Sequence, residues 1–399
     1  MHRNGPRLNT PGAPDGEVPA DVIVVGIAGA GFVARLHVAG WTRVSGVPVE
    51  VRGVAAAHPE RAQQFAEEFG LPMAYRDFDE LLADSAVTVV DLGVPNLLHE
   101  GFAIEALRAG KHVIVEKPLT GCFAPRHEMT ADAMRAEALR SADAMLAAAQ
   151  AAGRHLCYAE NWLYAPPFVK AERLLDAAGG TILRMQGEES HSGTHSEPNK
   201  HWVTAGGGAL LGKGCHPLAA VLHLKAREGQ RAASVVAQTA SLTKVNSFAR
   251  EPRQFLRTGY EDVEDWGCVL VTFTDGTVAE VTAADTTLGG VRNRLTVFAS
   301  NAVVEANLNP NTAVRAYAPD AEVFEPEYLS EKLETKAGWS YPSPDEDWMQ
   351  GYPQELQDFA EAIAFGRSPK SDAHLGRDVL EVVYAAYVSV EEGRRVDLR

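Results

Sequence analysis

The first 150 residues alternate between short apolar runs and segments with helical character. Four segments are typical of strands buried on both faces, because they are apolar and rich in β-branched residues: 22–25, 49–57, 87–95 and 111–120. Three further segments have helical periodicity or a helix-favouring composition: 59–70, 96–110 and 129–153. Strands that alternate with helices predict an α/β fold with a doubly wound parallel sheet.

The pattern changes after Gly153, where strand-like segments begin to dominate. Asp275-Gly276 lies between two alternating runs and is a strong hairpin signal. Two amphipathic helical segments, 352–366 and 374–394, end the chain. We therefore predict a C-terminal α+β domain with a mostly antiparallel sheet, which the family resemblance described below implies to be large and open. The predicted division is a disordered tail at 1–20, a parallel-sheet domain at 21–155 and the α+β domain at 156–399.

Composition and charge narrow the class of protein. Hydrophobic residues make up 46% of the 399 residues, and the net charge of −16 opposes binding to nucleic acid or to an anionic membrane. No apolar run reaches the length of a membrane span, and the first twenty residues do not resemble a secretory signal. The four cysteines contain no C-x-x-C pair, so we expect free thiols and a cytoplasmic location.

A glycine-rich loop follows the first predicted strand and opens a helix. It fits the pattern G-x-G-x-x-[G/A], which marks a Rossmann dinucleotide site in this strand-to-helix context. Gly29 permits a tight turn, Gly31 lets the backbone approach a pyrophosphate, and Ala34 lets the helix pack closely on the strand. The pattern thus predicts the first cofactor-binding residues: Gly29, Gly31, Phe32, Val33 and Ala34.

The end of the second predicted strand bears on the choice between NAD and NADP. An acidic residue there would bind the ribose 2′-hydroxyl of NAD, but residues 55–57 are all alanine and the first acid is Glu60. His58 and Arg61 are candidates to contact a 2′-phosphate, so both cofactors stay open. Other predicted strand ends add polar groups at the sheet edge where ligands bind: Pro95, Asn96, Glu116 and Lys117.

The stretch GGGALLGKGCHP, residues 206–217, allows three interpretations. It is not a phosphate-binding P-loop, because Lys213 precedes glycine rather than Ser or Thr. A zinc site would need His216 together with His191, His195 and His201, which we consider less favourable than no metal. We prefer a bend that delivers His216 at the start of a helix as a general base, since the ordinary histidine pKa suits proton transfer near neutral pH.

The order of the motifs resembles the Gfo/Idh/MocA family of nicotinamide-dependent oxidoreductases. After the glycine loop come VPNLLH at 94–99, AGKHVIVEKPLT at 109–120, GGGALLGKGCHP at 206–217 and the helical segment at 359–389. The resemblance implies a Rossmann domain joined to an α/β domain, whose open sheet forms homodimers or homotetramers. It also implies oxidation or reduction of one hydroxyl of a sugar, inositol or related polyol.

The resemblance also implies roles for individual residues. Lys117 matches the motif lysine near the nicotinamide and the substrate hydroxyl, Glu116 shapes that turn, and His216 matches the catalytic histidine. Asn96 and His99 match cofactor-side positions. The family usually has an acid where this chain has Gly212, which puts the standard catalytic triad in doubt.

The residues around these motifs suggest how the substrate is bound. Lys117 follows an apolar strand and precedes proline, so we expect it to be partly buried, with a lowered pKa that lets it share the proton. Aromatic and carboxylate groups suit sugar faces and hydroxyls, although the two aromatics at 162 and 164 fit a core equally well. The substrate-binding candidates are Lys117, Glu160, Trp162, Tyr164, His191, His195, Trp202 and His216.

Three functions remain open at this point. The first is an NAD(P)-dependent dehydrogenase, or ketone reductase, acting on a secondary hydroxyl of a sugar, glycoside or cyclitol. The second is an enzyme that cleaves a glycosidic bond through transient oxidation by tightly bound NAD. The third is a non-catalytic nicotinamide sensor, which the retention of Lys117 and His216 disfavours.

Overall fold

The computed structural model describes residues 22–309 and 314–398, so the tail predicted at 1–20 lies outside the described residues. The N-terminal part contains a six-stranded sheet in which every pairing is parallel. Its strands are β1 (Ile23–Ala28), β2 (Val49–Ala55), β3 (Met73–Tyr75), β4 (Val89–Leu92), β5 (His112–Glu116) and β6 (Leu156–Ala159). Their spatial order is β3-β2-β1-β4-β5-β6. The predicted doubly wound parallel sheet is confirmed.

The order of the strands reverses direction at β1, which pairs with β2 on one side and β4 on the other. In open α/β sheets, ligands bind outside the carboxyl ends of the strands at such a switch point. The helices of this part are α1 (Phe32–Trp41), α2 (Pro59–Phe69), α3 (Phe78–Ala83), α4 (His99–Arg108) and α5 (Ala131–Ala152).

The sheet to which strand β6 belongs could not be predicted from sequence periodicity. We assigned residues 156–159 to the antiparallel half of the chain, but β6 pairs in parallel with β5 and completes the N-terminal sheet. A four-residue apolar run fits either kind of sheet, because nothing in its periodicity identifies the neighbouring strand. The domain boundary at 155/156 stays a prediction.

The C-terminal part contains a seven-stranded sheet that is antiparallel except for one pair, β7 with β10. The predicted mostly antiparallel sheet is confirmed, and Gly276 forms the predicted hairpin with φ of 83°. The strands of this part, including the separate pair β13–β14, are β7 (Ile182–Ser190), β8 (Ala232–Ala240), β9 (Trp266–Phe273), β10 (Val278–Ala284), β11 (Arg292–Ala299), β12 (Val303–Asn307), β13 (Ala316–Ala318), β14 (Gly338–Ser340) and β15 (Val396–Asp397).

Helices cover this sheet and brace it against the N-terminal domain. They are α6 (Pro166–Ala178), α7 (Trp202–Ala205), α8 (Ala209–Gly212), α9 (Cys215–Arg227), α10 (Asn246–Ala249), α11 (Glu346–Gln350), α12 (Tyr352–Phe365) and α13 (Ala373–Glu392). Helix α9 packs on β7, while α12 packs on α1 and α13 on α5. Within 22–309 and 314–398, no helix combines the length and the apolar character needed to cross a membrane.

Candidate active site

A cleft of about 900 Å³ runs across the carboxyl ends of β1, β2, β4 and β5. We call it the cofactor cleft. Most of the predicted cofactor-binding residues line it: Gly29, Gly31, Phe32, Val33, His58, Arg61, Pro95, Asn96, Glu116 and Lys117. Two predicted residues, Ala34 and His99, are not in its lining.

Gly29 and Gly31, the two glycines of the first loop, are required for different physical reasons. Gly29 has φ of +108°, and a Cβ built on it would lie 2.3 Å from the carbonyl oxygen of Gly93, so any side chain is excluded. A Cβ on Gly31 would meet nothing within 4 Å. Gly31 begins α1 without a side-chain cap, which leaves the first N–H groups of that helix available to an anion. Ala34 is 1% exposed and packs beneath this loop.

The structure places His99 outside the lining of the cofactor cleft. Its ring is fully buried, with Nδ1 2.9 Å from the carbonyl oxygen of Pro118 and Nε2 3.0 Å from that of Val94. Burial lowers the pKa of His99. The residue thus connects the loops that follow β4 and β5, because its ring lies between their backbones rather than in the cleft.

A second arginine lies at the end of the cleft beyond the β2 terminus. Arg76, which follows β3, lines the cleft together with Arg61 and His58. Its Nε donates to Asp77 at 2.8 Å, and Asp77 also caps α3 by accepting from the Glu80 N–H. We did not predict Arg76, since no sequence signal identified the three-residue strand before it.

A buried ion network lies beneath the strand that carries Lys117. His37 Nδ1 lies 2.8 Å from Asp91 Oδ1, and its Nε2 lies 3.1 Å from Glu116 Oε1. Burial would lower the pKa of His37, but Asp91 and Glu116 raise it well above the ordinary value. The opposite holds for Glu116, whose pKa burial would raise and His37 lowers. Glu116 Oε2 also accepts the backbone N–H of Lys117 at 3.0 Å, which fixes this turn.

Lys117 is half-buried, as predicted, and its Nζ donates to the carbonyl oxygen of Gly212 at 3.1 Å. The predicted lowering of its pKa is wrong. Burial does act to lower the pKa, but Cys215, Glu189, Glu116 and Glu160 raise it above the ordinary value. Burial also raises the pKa of the Cys215 thiol, so the negatively charged neighbours of Lys117 near neutral pH are the carboxylates.

His216 lies in the first turn of α9, as the glycine-rich bend predicts. Its Nδ1 is 2.5 Å from Glu160 Oε1, and its ring stacks on Trp162 with centroids 5.9 Å apart and planes at 9°. Glu160 and Trp162 are 0% and 2% exposed. Neither Glu160 nor Trp162 lines the cofactor cleft, and the described contacts of both with His216 favour a role in orienting its ring over the substrate contact that we predicted.

Glu189, at the end of β7, is a site residue that our sequence analysis missed. It is 8% exposed, its Oε2 lies 3.7 Å from His216 Nε2, and this oxygen has no hydrogen-bond partner among the described residues. Burial raises its pKa, against the opposing effects of His216, Lys117 and Lys213. The alternation of side chains along the strand could have identified it, because Met185, Gly187 and Glu189 share the buried face of β7.

A pocket of about 70 Å³ lies beside the Lys117 side chain, and we call it the catalytic pocket. Gly212, Lys213 and Asp285 line it, with Lys213 Nζ 2.7 Å from Asp285 Oδ1. A Cβ on Gly212 would meet nothing within 4 Å, so the missing acid leaves open space. Asp285, at the end of β10, supplies a carboxylate to this pocket that we did not predict.

Two predicted aromatic substrate contacts belong to the core. The Tyr164 hydroxyl donates to Asp358 Oδ2 at 2.8 Å and accepts the Ser371 N–H at 2.9 Å. Trp202 is 0% exposed, and its ring packs against the Arg126 guanidinium at 4.5 Å. Apolar packing explains both positions, because neither ring lines the cofactor cleft or the catalytic pocket.

The two predicted histidines that follow β7, His191 and His195, have different surroundings. His191 is 9% exposed and its Nδ1 accepts the Gly193 N–H at 3.0 Å, while burial lowers its pKa. His195 is exposed and lines a neighbouring cavity. Neither approaches His216 at metal-ligand distance; across the described residues, the one compact group of ligand atoms is Glu160, Cys215 and His216. Its 2.5 Å Glu160–His216 contact fits a hydrogen bond better than two zinc ligands, which lie about 3.4 Å apart around a tetrahedral ion.

The fold has two parts, a Rossmann-type parallel sheet and a mostly antiparallel sheet, with the cofactor cleft at the edge of the first. Residues 23–155 match the family model described as an oxidoreductase family with an NAD-binding Rossmann fold, and residues 168–305 match the GFO/IDH/MocA C-terminal domain. The chain belongs to the Gfo/Idh/MocA family of oxidoreductases.

Named relatives and solved structures give the setting within that family. The chain is 36% identical over 102 residues to levoglucosan dehydrogenase of Pseudarthrobacter phenanthrenivorans, which is 24% of this chain and 26% of the relative. It is 33% identical over 173 residues to 1,5-anhydro-D-fructose reductase of Ensifer adhaerens, 40% of this chain and 51% of the relative. These matches span between a quarter and half of the relatives' length. The crystal structure of GenD2 from gentamicin A biosynthesis in complex with NAD superposes with a TM-score of 0.78 at 26% identity, over 97% of this chain and 99% of that one.

Proposed function

We propose that this protein transfers a hydride between NAD(P) and a secondary hydroxyl of a sugar, glycoside or cyclitol. The observation that carries the proposal is the position of Lys117, which lines both the cofactor cleft and the catalytic pocket. A group at that junction can contact both the cofactor and the hydroxyl that reacts. The sugar-related names of two relatives support the substrate class.

The cleft fits a dinucleotide on its own geometry. Gly29 permits the close approach of the loop to Gly93, and the open space at Gly31 exposes the start of α1 to a pyrophosphate. A bound nicotinamide would supply the hydride acceptor or donor. Residues Arg61, Arg76 and His58, without an acid at the end of β2, favour tolerance of a 2′-phosphate.

Buried residues carry out the proton transfer in this proposal. The Lys117 ammonium donates a hydrogen bond to the substrate oxygen and stabilises negative charge there as the proton leaves. His216 lines neither cavity, but it and Lys117 both act on the charge of Glu189, so we assign His216 as the base beside Lys117. It accepts the proton at Nε2, because its Nδ1 is already bonded to Glu160. Glu160 stabilises the imidazolium that forms, and Glu189 faces the same nitrogen at 3.7 Å. Lys117 is the electrostatic partner in this scheme, and His216 is the base.

The proposed oligomer uses the outer face of the C-terminal sheet. Val236 and Leu270 are cross-strand partners on β8 and β9, and they are 45% and 38% exposed. Leu183 on β7 and Val303 on β12 add further exposed apolar surface. A homodimer or homotetramer would cover such a face. The four cysteines are free thiols, and the cytoplasmic location expected from them stays a prediction.

The test is an absorbance scan of reduced nicotinamide with a panel of sugars, glycosides and inositols, using NAD and NADP separately. We expect one class of compound to give stoichiometric reduction of the cofactor. A compound that is cleaved without net reduction would replace this proposal with transient oxidation by bound NAD. A cofactor that binds while every compound stays unchanged, in both directions, would instead favour a sensor.

A further inference from the structure

A second large cavity adjoins the proposed active site, and the proposed hydride transfer does not use it. Its volume is about 800 Å³, and we call it the outer cavity. Residues between 321 and 336 form most of its wall, opposite residues 194–196. It shares Thr194 with the catalytic pocket, and Phe32 and Ser196 with the cofactor cleft. The outer cavity therefore lies beside both.

The sizes of the cavities limit where a substrate can lie. The catalytic pocket, at about 70 Å³, has room for little more than the reacting carbinol group. The cofactor cleft is occupied by the dinucleotide in the proposed function. The rest of any substrate must then extend past Thr194 into the outer cavity, whose volume is typical of a site for a drug-sized ligand. A single sugar ring would leave much of it to water.

The walls of the outer cavity have the chemistry that binds sugar rings. The Tyr328 ring is 64% exposed, and its hydroxyl donates to Glu346 Oε2 at 2.7 Å, which holds the ring in place. Glu346 also accepts the backbone N–H of Glu331, so the wall is pinned from behind. Leu329 and Leu333 add apolar surface. Aromatic and apolar groups suit a pyranose face, and nearby carboxylates suit its hydroxyls.

Lys332 lines the outer cavity close to the segment that separates it from the catalytic pocket. Its φ of 61° is the one positive value outside glycine in 22–309 and 314–398, a strained conformation that tends to occur at functional sites. Its side chain is 9% exposed, and Nζ lies 3.4 Å from the Gly193 carbonyl oxygen. Burial lowers its pKa, and Lys213 in the catalytic pocket lowers it further. Glu331, whose Oε1 lies 3.7 Å from Nζ, opposes this lowering. The amine thus lies against the backbone next to Thr194, the residue that lines both the outer cavity and the catalytic pocket.

We propose that the outer cavity is a second sugar subsite, which binds a further pyranose ring of a glycoside or oligosaccharide against Tyr328. The ring that is oxidised occupies the mouth of the catalytic pocket. This inference rests on the proposed sugar oxidoreductase function, because it uses the position of the reacting hydroxyl to orient the ligand.

The test compares monosaccharides with disaccharides that contain them: glucose with maltose and cellobiose, and galactose with lactose. For the wild-type enzyme with its cofactor, we expect kcat/KM at least tenfold higher for a disaccharide than for its monosaccharide. Tyr328→Ala should raise the disaccharide KM at least tenfold and change monosaccharide kcat/KM less than twofold. Tyr328→Phe, which keeps the ring, and Tyr317→Ala, an exposed tyrosine outside the cavity, are the matched controls.

The outcomes separate this inference from the proposed function. If monosaccharides are oxidised but no disaccharide is preferred, the subsite is overturned and the hydride-transfer proposal stands. If no sugar is oxidised, the proposed function fails, and calorimetric binding of the same sugars to the enzyme–cofactor complex decides the subsite. Tighter binding of a disaccharide that Tyr328→Ala abolishes would support the subsite, and no such preference would overturn it.

Discussion

The cofactor cleft and the cluster around Lys117 are built in opposite ways. The glycine loop of the cleft uses backbone geometry from residues close in sequence, with Gly29 and Gly31 two positions apart. The cluster brings together Lys117, Glu160, Glu189 and His216 from four separate segments, and pairs their charges inside the protein. The difference suggests a division of labour, in which the exposed cleft sets cofactor affinity and the buried cluster sets the rate of proton transfer.

The largest expected effect is on the chemical step. Lys117→Met removes the ammonium group that we propose contacts the substrate oxygen, so we expect kcat to fall by roughly 10³–10⁴ while the cofactor Kd changes less than about threefold. Stopped-flow absorbance and cofactor titration measure the two quantities. Lys170→Met, at an exposed position on α6, is the matched control. A large loss of cofactor affinity in Lys117→Met would break the division between the two regions.

The next largest expected effect is on the stability that the buried network of His37, Asp91 and Glu116 provides. His37→Gln leaves Asp91 and Glu116 buried without their cation, which should lower the free energy of unfolding by about 3–5 kcal/mol. The raised pKa of His37 gives a contribution that is complete below 6.5 and is lost as pH rises through the folded-state value. The lowered pKa of Glu116 gives a contribution to stability that is present above pH 4.5 and is lost as pH falls through the folded-state value.

Urea unfolding from acid to alkaline pH measures this dependence. The difference in the free energy of unfolding between wild type and His37→Gln should be largest between pH 4.5 and pH 6.5. It should become smaller at lower and at higher pH. A difference that does not vary with pH would show that the network contributes packing rather than charge.

Substitutions at Gly29 and Gly31 test the different roles that we assign to these two residues of the cofactor cleft. Gly29→Ala introduces a Cβ against the Gly93 carbonyl at a positive φ, so we expect a lower Tm together with weakened cofactor binding. Gly31→Ala meets no protein atom, so its Tm should match wild type while cofactor Kd rises about tenfold from crowding of the pyrophosphate. Thermal unfolding and cofactor titration distinguish them, and equal Tm losses would contradict the assigned roles.

The smallest expected effect concerns cofactor choice. If Arg61 and Arg76 contact a 2′-phosphate, replacing either with alanine should weaken NADP binding about three- to tenfold and leave NAD binding unchanged. Parallel titrations with both cofactors measure the ratio. Equal losses for NAD and NADP would place these arginines on a part of the cofactor common to both.

The same contrast explains what the sequence could predict. The cofactor loop was predictable because Gly29 and Gly31 act within one strand-to-helix turn, and His216 because a glycine-rich bend precedes its helix. Arg76 was missed because no sequence signal identified the three-residue strand before it. Glu189 and Asp285 were missed because β7 and β10, whose ends carry them, pair with each other although they are distant in sequence. The lowered pKa expected for Lys117 was wrong for the same reason, since Glu160 and Glu189 reach it only through tertiary packing.

The most direct test of the division of labour is a single-turnover measurement on His216→Ala. His223→Ala is the matched control, because His223 lies on the same helix and is also paired with a glutamate, Glu172, at 2.8 Å. With a sugar that the wild type oxidises, the account predicts that His216→Ala loses at least about 10²–10³ in hydride-transfer rate, keeps cofactor Kd within about threefold, and differs in rate from His223→Ala. An unchanged rate in His216→Ala, or a loss of cofactor affinity as large as the loss of rate, would contradict it.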